Sequence, residues 1–93
     1  MENNKIYNGI YDEVFDSFLY EYNNGERSLC PYNNNDESLE GAVEAYFEKI
    51  GFSDYVVTSE EVFDSPSCTI GYISVAWTDE DGLHMISESW IIC

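Results

Sequence analysis

A chain of 93 residues is enough for one domain, 1–93, and too short for two independent cores. Its 44% hydrophobic and 16% aromatic content excludes a disordered acidic tail, which would be poor in aromatics. Nineteen acidic residues against three basic ones (Lys5, Arg27, Lys49) give a formal net charge of −16, about twice the upper end of what solubility asks of a small domain. That balance excludes attraction to nucleic acid or to anionic membrane surfaces.

Residues 1–6 form a polar lead-in with no apolar signal core. From Tyr7 to Tyr22, Ile10, Val14, Phe18 and Tyr22 recur every four residues beside Tyr11, Phe15 and Leu19, which predicts a helix. Asn8 would cap it and Asn23-Asn24-Gly25 would end it. Arg27 to Tyr32 suits at most a short edge strand, because Pro31 cannot donate to a ladder. Asn33-Asn34-Asn35 marks a turn or mobile loop. A second helix is expected over residues 37–50, capped by Asn35 or Asp36, with Leu39, Val43, Tyr46, Phe47 and Ile50 on its apolar face. Gly51 fits its left-handed end, and Phe52 would fold back on Phe47.

The last third predicts strands. One starts at Tyr55 and runs toward Phe63, and Asp64-Ser65-Pro66-Ser67 breaks it. Cys68 to Trp77 carries Ile73, Val75 and Trp77 on one face. Asp79-Glu80-Asp81-Gly82 is a hairpin turn with Gly where positive φ is needed. Leu83 to Ile92 returns with apolar residues on both faces, which leaves its inner face open. The expected fold class is α+β: two helices packed on a three-stranded antiparallel β-meander, in the order α-α-β-β-β.

Three cysteines, Cys30, Cys68 and Cys93, without clustered spacing do not suggest a disulfide framework. A reducing, cytoplasmic setting is expected. No stretch approaches the length of a transmembrane helix.

The sequence speaks against catalysis and cofactors. Aligned to a calcium-binding EF-hand loop, Asp79, Asp81, Gly82 and Glu88 take ligand-loop positions, but Trp77 falls where the first ligand belongs. His84 is the only histidine, and no nucleophile signature surrounds the cysteines. A zinc site would need His84 and all three cysteines to converge from positions without finger-like spacing. No phosphate-binding or dinucleotide-binding glycine motif is present. No catalytic residue, metal site or cofactor is therefore expected.

The placement of the acids is more informative than their number. Glu40, Glu44 and Glu48 follow one another every four residues, with Glu37 one turn earlier. At the helical rise this puts a carboxylate roughly every 6 Å along one stripe. Asp12 and Asp16 repeat the spacing on the first helix. The Glu60-Glu61 pair and the Asp79-Glu80-Asp81 turn add further charge. A duplex presents phosphates about every 3.4 Å along each strand, so such rows are sparser than DNA but similar in scale. Eight tyrosines exceed what this core needs, and Tyr20, Tyr22 and Tyr32 near the first loop are candidate contact residues.

In size and acidity the whole chain resembles phage and mobile-element proteins that block restriction or CRISPR nucleases, several of which imitate DNA. That resemblance implies an anti-restriction or anti-CRISPR inhibitor acting in the host cytoplasm. Its partner would be a basic nucleic-acid-binding protein such as a nuclease, with no direct binding to nucleic acid. Small acidic immunity proteins that neutralise nuclease toxins are similar by the same criteria. An acidic scaffolding domain is the third alternative. Adaptation to high salt would also thin out lysine, but abundant Asn, Tyr and Ile do not follow that pattern.

Overall fold

The computed structural model describes residues 2–23, 25–33 and 35–93, with side chains from residue 5 onward except at 22 and 23. Asn24, in the expected helix stop, and Asn34, in the expected turn, lie outside the described residues. So do Met1 and the Tyr22 side chain.

The N-terminal segment winds in three ways. Helix α1 (Glu2–Gly9) runs into a π turn (Ile10–Val14) and then a 3-10 turn (Phe15–Phe18). The Phe15 N–H donates to the Ile10 carbonyl and the Leu19 N–H to the Asp16 carbonyl. A strict four-residue spacing drifts around a helix of 3.6 residues per turn, and a wider turn corrects the drift. Ile10, Val14, Phe15 and Phe18 are all buried as a result. Asn8 lies inside α1 and caps nothing.

The expected helix does not reach Tyr22. At Leu19 the backbone becomes extended, and strand β1 (Leu19–Asn23) pairs antiparallel with β2 (Glu26–Leu29). Tyrosine-rich residues 19–22 suit a half-buried strand as well as a helix, and tertiary pairing decides between them. Strand β2 is not an edge. It sits beside β5 in parallel through Leu29 and Trp90. Tyr32 instead bridges Ser38.

Helix α2 (Leu39–Lys49) begins two residues later than expected. Its cap is Ser38, whose Oγ accepts from the Gly41 N–H at 3.0 Å, rather than Asn35 or Asp36. Leu39, Val43, Tyr46 and Phe47 are buried, but Ile50 is exposed. Gly51 adopts φ 75°. The Phe52 N–H returns to the Phe47 carbonyl at 2.9 Å, so the two rings meet as the sequence suggests.

Strands β3 (Tyr55–Asp64), β4 (Thr69–Asp79) and β5 (Gly82–Ile92) complete the sheet. The strand order is β1-β2-β5-β4-β3. The three-stranded antiparallel meander with two regular helices is thus corrected. The molecule has a five-stranded mixed sheet with one parallel pair, one short helix, and a second helix near the N-terminus that gives way to π and 3-10 turns. Of the two added strands, β1 takes residues whose aromatic spacing also fits a helix, while β2 overlaps the short strand considered at Arg27–Tyr32 but lies inside the sheet.

The helical segments share one core with one sheet face. Ile73, Val75 and Trp77 of β4 and Ile86 and Trp90 of β5 are buried there with Ile10, Val14 and Phe47. Trp77 lies between Phe47, Tyr7 and the His84 ring, which stacks on it at 5.4 Å. Close approaches explain two glycines. A Cβ at Gly9 would stand 1.8 Å from the Tyr46 hydroxyl. One at Gly71 would stand 2.2 Å from the Trp90 ring. The opposite face of β3, β4 and β5 is open, with Val56, Leu83 and Met85 more than half exposed.

Cys68 and Cys93 form a disulfide, against the expectation from spacing. They continue the β4–β5 ladder one step past its last pair, Thr69 and Ile92. Cys30 is free. No described helix is long and apolar enough to cross a membrane.

Two stability outcomes follow. Trp77→Ala should cost about 3–5 kcal/mol, the range for truncating a buried aromatic, measured by denaturant unfolding. Reducing Cys68–Cys93, 25 residues apart, should cost roughly 3 kcal/mol by releasing the unfolded chain. Thermal melts with and without reductant measure this.

Candidate functional site: the acidic surface

No charged side chain is buried among the described residues. Three cations and one histidine can neutralise at most four of the 19 carboxylates. Lys49 is engaged by Glu13, Nζ to Oε1 at 3.1 Å. His84 is engaged by Asp79, Nε2 to Oδ1 at 2.9 Å. The remaining acids face solvent or hydrogen-bond donors rather than a buried pocket.

Local structure sorts the candidate residues. Asp12 in the π turn and Asp16 in the 3-10 turn are both exposed, but they do not share a regular helical stripe. In α2, Glu44 and Glu48 are exposed and Glu40 is half-buried in the first turn. These three keep the expected spacing of roughly 6 Å. Glu37 precedes the Ser38 cap and lies off the helix, where its Oε1 accepts from Asn33 Nδ2 at 2.8 Å. Glu60 and Glu61 point to opposite faces of β3 by strand alternation, so they do not act as a pair. Glu60 accepts from the Tyr72 hydroxyl at 2.9 Å.

The fold joins some of these positions. The Lys49–Glu13 pair ties the end of α2 to the π turn. A shallow cleft of about 600 Å³ between them is lined by Lys5, Asp12, Glu13, Tyr46 and Lys49. A second cleft of about 280 Å³ sets Lys5, Tyr46 and Ile50 beside Asp79, Glu80 and Asp81. The acids of the π turn and of the β4–β5 turn thus line two clefts that share Lys5, Tyr46 and Ile50, and α2 contributes Tyr46, Lys49 and Ile50 to them but no acid. Asp54 belongs to this end as well, because its carbonyl accepts the Thr78 N–H at 3.2 Å. Sequence reasoning missed it. Aligning the start of β3 with the end of β4 would have placed it there. Glu60 and Glu61 stand apart, five residues along β3 from Tyr55, a separation of about 17 Å.

Asp79 is the one acid with a demanding local role. Its Oδ1 also accepts from the Asp81 N–H at 2.8 Å and helps shape the turn. A carboxylate only accepts, so His84 Nε2 carries the hydrogen between them. That bond, partly opposed by desolvation and reinforced by backbone donors, holds the Asp79 carboxyl below its ordinary range. Tyr11 is the counterpart among hydroxyls. Partial burial and then its 2.6 Å bond to Glu88 push it up to about 12.

Among the described residues no three His, Cys, Asp or Glu side chains are grouped to hold a metal. The Asp79–Asp81 segment is a hairpin turn, and Glu88 is bonded to Tyr11. Of the tyrosines considered as contacts, Tyr20 donates to the Ile91 carbonyl at 2.6 Å, and Tyr32 is exposed. No protein-family model matches the chain, and no curated protein or solved structure is significantly similar to it.

His84→Gln should return the Asp79 carboxyl toward its ordinary value, read by a carboxyl NMR titration. A lowered carboxyl stabilises the fold at pH above its unfolded value, and that contribution is lost as pH falls through the folded value. The variant should therefore lose less stability than the parent on acidification.

Proposed function

We propose that this protein is a non-enzymatic inhibitor that competes with nucleic acid for the basic surface of a nuclease or another nucleic-acid-binding protein. The observation that carries this reading is a surface on which the carboxylates far outnumber the available cations. Self-repulsion of that charge opposes folding, and a basic partner is the condition under which it becomes favourable. The molecule's extents of 44 × 22 × 22 Å support the reading. Its long axis corresponds to about thirteen nucleotide steps of a duplex strand at 3.4 Å each.

The binding surface in this proposal centres on Asp12, Asp16, Glu44 and Glu48 with the Glu80-Asp81 turn tip. Glu40 and Asp79 support it from half-buried positions, Glu37 flanks it, and Glu61 extends it along the far edge, while Glu60 turns to the opposite face of the sheet. An anti-restriction or anti-CRISPR role in a host cytoplasm belongs to the same proposal. The disulfide lies between β4 and β5, outside the two acidic clefts, so a reducing compartment would leave the charged surface in place. Immunity against one nuclease toxin uses the same electrostatics and is distinguished by a toxin gene beside this one.

The test is capture of partners from a nuclease-containing host lysate, followed by competition with duplex DNA. Basic partners released by DNA support the proposal, and partners indifferent to DNA overturn it. Replacing Glu40, Glu44 and Glu48 together with Gln removes repulsion of about 0.2–0.5 kcal/mol per successive pair. It also removes a favourable first-turn charge worth about 0.3–1 kcal/mol. Stability should stay within about 1 kcal/mol, while affinity for the captured partner falls about tenfold at low salt. Thermal melts and titration calorimetry read the two effects separately.

A further inference from the structure

The charge is unevenly distributed. On the open face of β3, β4 and β5, the paired outward positions carry one carboxylate, Glu60, in a chain with 19. Near the turn, Val56, Ala76 and Met85 lie side by side across the three strands. The next outward row is Thr58, Ser74 and Ser87. At the far end Phe63, Ile70 and Ile91 form another apolar row. Between the Thr58 row and the far end lie Glu60, Tyr72 and Ser89, with the Tyr72 hydroxyl donating to the Glu60 carboxylate. Along the strands the pattern is therefore apolar, hydroxyl, hydroxyl with one carboxylate, apolar. Val56, Phe63 and Met85 are 63%, 55% and 57% exposed, too open for a finished core.

We infer that a second copy of this chain packs on this face, joining two open sheets back to back. Charge selects the occupant. A basic partner is drawn to the helical layer and the turn, because this face offers it almost no carboxylate. Two copies repel one another everywhere else, and the charge-poor face is where they can approach. Self-association through a twofold axis requires a patch that complements itself. The order meets that condition when the strands of the two copies run in opposite directions, which sets apolar rows on apolar rows and the Thr58, Ser74 and Ser87 row on the Glu60, Tyr72 and Ser89 row of the other copy. Hydroxyls both donate and accept, so the two middle rows can satisfy one another, Glu60 included.

Strands of ten and eleven residues give a footprint of about 35 by 14 Å. Two copies would then bury roughly 1,000 Å² in total, the lower bound for a specific contact. The dimer is therefore weak, and repulsion between its halves weakens it further at low salt. Its salt dependence is opposite in sign to that of partner binding.

Sedimentation velocity on the full chain without any partner tests this, so its failure is separable from failure of the inhibitor proposal. The measurement covers protein concentrations from about 1 μM to about 1 mM. Salt rises from about 0.1 M to about 1 M, over which the screening length falls from about 10 Å to about 3 Å. The expected mass rises from 10.7 kDa to a plateau at twice that value, at lower protein concentration when salt is higher. Met85→Lys lowers the net charge yet should weaken the dimer about tenfold. A melt confirms that its fold is intact. Glu48→Gln, on the helical layer, should leave the dimer as tight or tighter. Monomer mass throughout, growth beyond a dimer, or undiminished dimerisation of folded Met85→Lys would each overturn the inference.

Discussion

The turn between β4 and β5 sets the register on which the rest of the sheet depends. Glu80 and Asp81 keep negative φ, Gly82 takes φ 112°, and Asp79 pairs with Gly82. From that closure the two strands run pair by pair for their full length. Trp77 meets His84, Val75 meets Ile86, Gly71 meets Trp90, and Cys68 arrives opposite Cys93. A shift of one residue would turn every β5 side chain to the other face. Ile86 and Trp90 would leave the core, and Leu83 and Met85 would enter it. The Asp79 carboxylate holds this turn by accepting from Asp81 and His84, so an acid that looks like surface charge also fixes the fold.

A chain this anionic must place its charge without burying it. The core is built almost wholly from aliphatic and aromatic side chains. Phe47 is its centre, stacked on Tyr55 at 4.4 Å and touching Tyr46, Phe52 and Trp77. Tyrosines then partner the charge on both faces of the sheet. Tyr11, its ring against Phe15, donates its hydroxyl to Glu88, and Tyr72 on the open face donates to Glu60. Each such bond gives a carboxylate a neutral partner where no cation is available, which is one physical use for the high tyrosine content.

Much of this was legible in the sequence, and the exceptions have identifiable causes. The buried face of α2, the Gly51 ending and the Ile73-Val75-Trp77 face follow from period and end signals. The N-terminal helical segment ends before the expected Tyr22, because Leu19, Tyr20 and Tyr22, which continue a helical spacing, also suit a strand. No local signal tells the two apart. The parallel contact of Leu29 with Trp90 is non-local and left no pattern. The inner face of β5 and the cysteine pair were available in principle: counting outward from Asp79 and Gly82 brings 84 opposite 77 and 93 opposite 68. For the acidic surface, helical spacing puts Glu40, Glu44 and Glu48 on α2, where Glu40 is half-buried and the other two are exposed. The same spacing misplaced Glu37, which lies beyond the Ser38 cap, and sequence adjacency wrongly joined Glu60 to Glu61, which alternate across a strand.

Strand β3 forms one edge of the sheet, with a bulge between Glu61 and Phe63. An unpaired edge is a template on which foreign strands can add and fibres can grow. Here the edge carries Glu60, Glu61 and Asp64, and the bulge breaks its regular hydrogen-bonding row. A strand from another copy would meet like charge along this margin and lose alignment at the bulge. The arrangement guards against runaway polymerisation: the molecule can be crowded to high local concentration while its sheet remains finite.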